Sequence, residues 1–125
     1  MSSRATKAYA SAYDRSSAQV GQLRRGETRR ITVDFTQPLE GETITEAVWR
    51  TNCPSVLAMS SGSIVGSIVS ITGAFQLGGR ADLKVTVETS GGRQLVQIFD
   101  FSVRDYPTFD ESSPTAGPYT LTVTP

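Results

Sequence analysis

The side chains able to do covalent chemistry are few. Cys53 is the one thiol, and the chain contains no histidine to deprotonate it. A buried or bystander cysteine is therefore the expected role. Residues 60–63 read SSGS, which matches no nucleophile pattern and consists of turn formers. Asp105, Asp110 and Glu111 could attract a divalent ion, but their spacing fits no calcium loop, and a solvated linker is the expected setting. No catalytic, cofactor-binding or metal-ligating residue is assigned. No cofactor is expected, and the chain is read as a non-enzyme.

Recognition chemistry remains. Residues 1–30 carry seven basic side chains against two acidic ones, and the remainder carries five basic against ten acidic, so a chain of zero net charge is a dipole along its length. The pairs Arg24-Arg25 and Arg29-Arg30 are candidates for docking on an acidic neighbour, another copy of the chain included. Nucleic acid is a third choice, because no aromatic stacking platform accompanies these arginines; such binding would be phosphate-driven and would fall steeply with salt. Trp49 could face a partner or fill a core. Ala47 shares its strand face, and large aromatics dominate burial, which favours the core.

The elements that position these residues read as strands. A chain of 125 residues suits one domain, long enough to bury a core without disulfides, which a lone cysteine cannot supply within the chain. No apolar stretch approaches the roughly 20 residues of a membrane helix, and the beginning lacks the apolar core of a signal peptide. Residues 1–28 are expected to be a basic N-terminal arm, ordered on a partner, with Ala5, Ala8, Tyr9, Ala12 and Tyr13 at a thin helical spacing.

Residues 29–104 are expected to form an all-β antiparallel sandwich. Ile31, Val33 and Phe35 alternate with polar residues, as do Leu83, Val85 and Val87. Between 43 and 51, Ala47 and Trp49 share one face, while Ile44, Glu46, Val48 and Arg50 share the other. Pro54 ends that strand, residues 55–59 form a short edge strand, and 60–63 form a turn. Gly66 marks a bulge or tight bend. Residues 90–93 form a hairpin turn leading into a strand at 94–104. In that strand Leu95, Phe99, Phe101 and Val103 point one way and Val96 and Ile98 the other, so its first half is expected to be covered on both faces. Residues 105–125 comprise a proline-rich linker and a terminal strand whose Tyr119, Leu121 and Val123 share a side. That strand can close its own sheet or add to a sheet edge on another chain.

Residues 41–44 (GETI), Ala47 with Trp49, residues 62–66 (GSIVG) and residues 87–95 (VETSGGRQL) together resemble a family of tailed-bacteriophage structural proteins described as fibre–tail adaptors. The resemblance spans roughly residues 31–104. It implies an immunoglobulin-like sandwich and a virion role without catalysis. Its expected partners are other copies of the chain and other tail or capsid proteins, in a homo-oligomer, with no membrane involved. A capsid decoration protein of the same fold is the alternative. The expected location is the virion, assembled in the host bacterial cytoplasm. Arg24, Arg25, Arg29, Arg30, Tyr119, Leu121 and Val123 are the expected interaction residues.

Overall fold

Two sheets face each other across one apolar core in the computed structural model, which describes residues 4–9, 18–104 and 118–125. The first sheet has the order β1 (Arg4–Tyr9), β3 (Thr28–Asp34), β6 (Ile68–Phe75), β5 (Leu57–Val65). The second runs β2 (Ala18–Arg24), β8 (Gln94–Arg104), β7 (Gly79–Thr89), β4 (Ile44–Thr51), β9 (Thr120–Val123). A single helical turn, α1 (Thr36–Leu39), lies between β3 and β4. The chain is an all-β, immunoglobulin-like sandwich: β3, β6 and β5 oppose β4, β7 and β8, and the chain changes sheet after β1, β2, β3, β4 and β6.

Period-2 alternation places the inner faces. Ile31 and Val33, then Leu83, Val85 and Val87, then Phe99, Phe101 and Val103 are buried. Trp49 and Ala47 are fully buried, so the tryptophan fills the core. Phe75 tilts against Phe101 at a centroid distance of 5.1 Å, within the range in which aromatic pairs add to simple burial.

Several expectations are corrected. Within the expected arm, the described residues 4–9 and 18–28 do not stand apart from the domain. β1 pairs in parallel with β3, β2 pairs in parallel with β8, and Leu23 is fully buried in the core. The helical spacing through Ala5, Ala8 and Tyr9 gives way to the hydrogen bonds of an open sheet edge; Ala12 and Tyr13 lie outside the described residues. Ile44 points inward, because a bulge between Ile44 and Glu46 reverses its face. Residues 60–63 are not a turn. β5 continues through them with a bulge in which Ser61 adopts φ 53°. The tight turn falls instead at Gly66, φ 61°. Val96 and Ile98 are uncovered, 46% and 36% exposed.

The terminal strand belongs to its own chain here. β9 pairs with β4, and Val123 is buried. Gly62 makes this contact fit: a Cβ there would collide with Cγ2 of Val123 and touch Leu121. The linker at 105–117 lies outside the described residues.

Removing residues 118–125 should therefore destabilise the domain. Full burial of one valine-sized side chain contributes about 1.5–3 kcal/mol. Urea unfolding should show a loss of about 2–3 kcal/mol, and an unchanged midpoint would remove β9 from the sandwich.

Candidate functional site

One end of the sandwich gathers three connections. The pairing of Asp34 with Ile68 sets the end of β3 beside the β5–β6 turn, and the pairing of Ile44 with Thr89 sets the start of β4 beside the β7–β8 turn. The 35–43 segment crosses from one sheet to the other between them. Loops carried by such a scaffold are the usual place for binding residues.

Arg93 holds the assembly. Its Nε donates to Oε1 of Glu42 at 2.6 Å, and its terminal nitrogen donates to the carbonyls of Pro38 and Leu39 at 2.9 and 3.1 Å. Those carbonyls end α1, where that of Leu39 also accepts from the Glu42 N–H at 3.0 Å, and the guanidinium caps the turn. Buried Thr89 donates its hydroxyl to Glu42 at 3.2 Å and accepts from the Arg93 backbone N–H at 3.1 Å. Thr43 and Ser90 exchange two further bonds, at 2.8 and 3.1 Å. Gly91 leaves room for the Glu42 carboxylate, which a Cβ there would displace, and Gly92 sits at φ 81°. The third connection is tied in by Phe35, whose N–H donates to the Ser67 carbonyl at 2.9 Å. Beside that turn Val65 is 71% exposed, an apolar contact point on an otherwise polar rim.

The residues expected from sequence to interact are scattered. Arg24 is exposed at the end of β2. Arg25 donates to the Gln76 carbonyl at 3.1 Å, and Arg29 pairs with Glu27 at 3.3 Å in a largely covered site. Arg30 lies on the outer face of the first sheet. It donates to the Ser61 carbonyl at 2.6 Å and to the hydroxyls of Thr72, Ser63 and Ser70 at 2.9–3.0 Å, pinning the β5 bulge. Tyr119 is exposed, whereas Leu121 and Val123 face inward against Gly62. None of these seven reaches the three-loop end. Cys53 is half-buried in the turn before β5, where its carbonyl accepts from the N–H groups of Val56 and Leu57. Asp105, Asp110 and Glu111 lie outside the described residues. Glu42 and Arg93 stand within the motifs that carry the family resemblance, but their 51-residue separation hides the pair from any local pattern.

No family model matches the chain, and no curated protein matches it in sequence. Solved structures do resemble it in fold. PbICP-C, solved in complex with falcipain-2, has a TM-score of 0.55 at 10% identity, over 81% of this chain and 99% of that one. The cysteine protease inhibitor EhICP2 of Entamoeba histolytica gives 0.47 at 14% identity, over 82% and 97%. Murine CRIg gives 0.42 at 15% identity, over 71% and 92%.

The Arg93 bond holds the Glu42 carboxyl below its ordinary value of 4.5. A lowered value means that the brace contributes fully above pH 4.5 and is lost as pH falls through the lowered value. Carboxyl NMR should find Glu42 titrating below 4.5 together with the 90–93 amides, and Arg93→Ala should return it to the ordinary range. An unshifted Glu42 in the intact protein would dissolve the brace.

Proposed function

We propose that the chain is a non-enzymatic structural protein of a phage virion, a tail or fibre adaptor that docks on neighbouring subunits. The observation that carries this reading is the three-loop end. Its connections are fixed before any partner arrives by the Arg93–Glu42 brace, and Val65 stands exposed at its rim. A preset binding edge loses little conformational entropy on docking. The resemblance of residues 31–104 to fibre–tail adaptors supports a virion partner, and two of its motifs, residues 41–44 and 87–95, supply this end.

The basic segment enters this reading differently from its sequence. Arg25, Arg29 and Arg30 place their donors inside the fold, so docking rests on the loops rather than on an arginine arm. The complex of PbICP-C with falcipain-2 favours a second reading, in which the chain binds another protein outside any virion.

Purified particles from cells that express the full chain distinguish the two. Protein mass spectrometry of gradient-banded virions should find the chain at a fixed ratio to tail proteins, and Val65→Asp should reduce that ratio. Banding with capsids stripped of tails would move the chain to the shell. Its absence from all particles, with the chain in the soluble fraction, would replace the adaptor reading with the second one.

A further inference from the structure

The outer face of the second sheet carries charges in rows. Cross-strand pairing sets Glu46 opposite Glu88, with Gln94 beyond. The next row holds Thr122, Val48, Thr86 and Val96, and the next Thr120, Arg50, Lys84 and Ile98. Asp82 faces Asp100 in the row after that. Like charges directly opposite each other on neighbouring strands are destabilising. Three such pairs on one face are therefore a burden on the isolated chain, and the Asp82 carboxyl is raised above its ordinary value, first by its bond to Asp100. Alternating the signs across strands would have removed this repulsion. Between an acidic row and a basic row lies a row with a half-buried valine and an exposed one, and Ile98 is exposed beside it.

This order of rows is self-complementary. A two-fold axis lying along the Val48–Thr86–Val96 row brings a second copy face to face with its strands reversed. Each residue then meets the row equally far on the other side of the axis. Glu46 meets Arg50 of the other copy, Glu88 meets its Lys84, and Val48 and Val96 meet their own counterparts. Facing sheets keep their strand directions within about 30° of each other, which an antiparallel stacking of this kind allows.

We infer that the outer face of β4, β7 and β8 is a homodimer interface, closed by a second copy through complementary charged rows around an apolar stripe. The inference is independent of the virion reading, which uses the loop end. Strand spacing of about 4.8 Å and a rise of about 3.4 Å per residue give this face roughly 400 Å² per copy. That is the size of a weak, reversible interface, so the dimer forms at high local concentration and is sensitive to salt.

Sedimentation velocity of the full chain tests it, from about 10 µM to about 1 mM, in low and high salt. The wild type should shift from monomer to dimer with concentration, less so in high salt. Lys84→Glu and Glu88→Lys should each weaken self-association at least about tenfold, because each sets like charges across the axis twice. Mixed in equal amounts, the two variants should regain a dimer. The carboxylate introduced at position 84 of one then meets the ammonium introduced at position 88 of the other, and the remaining pair is native. Both substitutions lie on an exposed face, and circular dichroism melting should show both folded. A wild type that stays monomeric throughout would overturn the inference and leave the face to a different protein. Dimers that ignore both single reversals, or variants that fail to recombine, would overturn it equally.

Discussion

Burial of Trp49 and the phenylalanines between two inner faces is the interaction on which the rest of the structure depends. Trp49 on β4 and Phe99 and Phe101 on β8 come from one sheet, Phe75 on β6 from the other, and all are within 1% of full burial. Each such side chain removes roughly 150–250 Å² from water, so the two sheets must approach wherever these rings stand. The bulges follow from that demand. The one in β4 turns Ile44 into the core that strict alternation would have denied it. The one in β5 bends an edge strand towards β9, where Gly62 leaves room for Val123. Arg30 then holds the left-handed Ser61 by its carbonyl, offsetting the strain of φ 53° at a residue with a Cβ.

What the sequence revealed follows the same physics. The inner faces of β3, β7 and β8 were legible because each alternates apolar and polar residues without interruption. Ile44 was assigned to the wrong face because a bulge breaks the period by one residue, and β4 itself contains no glycine to announce it. Residues 60–63 read as a turn because serine and glycine are turn formers, yet Ser60 and Ser63 pair with β6, and Arg30 bonds the Ser61 carbonyl and the Ser63 hydroxyl. β1 and β2 were illegible for another reason. Parallel edge strands are held by pairing with β3 and β8, far along the chain, and a strand on a sheet rim needs little apolar surface of its own.

The three-loop end was half legible. Glycines at 91 and 92 announced a hairpin, and the structure adds a separate reason for each: Gly91 admits the Glu42 carboxylate, and Gly92 takes a positive φ. The partner of Arg93 could not be read, because contact between residues 42 and 93 exists only once β4 and β7 have paired. The brace thus depends on the core. It in turn fixes loops that backbone propensity alone would leave to sample many shapes, and this connects packing in the middle of the sandwich to the shape of its end.

The sheet edges narrow where partners can bind. An open edge strand is a template for another chain. β9 has only four residues, too few for a long added strand. β5 is longer, but its bulge at 60–63 interrupts the row of backbone groups, and the Arg30 guanidinium already occupies the Ser61 carbonyl. These are the devices by which sandwiches discourage edge-to-edge pairing. That side of the molecule is blunted, while β1 and β2 are the outer strands of the other side; the braced loop end and the charged outer face of the second sheet are two further surfaces. They use different strands' ends and faces, so one copy can present both at once. On the β5 and β9 side of the molecule the edges disfavour strand exchange, in which backbone hydrogen bonds would accept almost any extended segment.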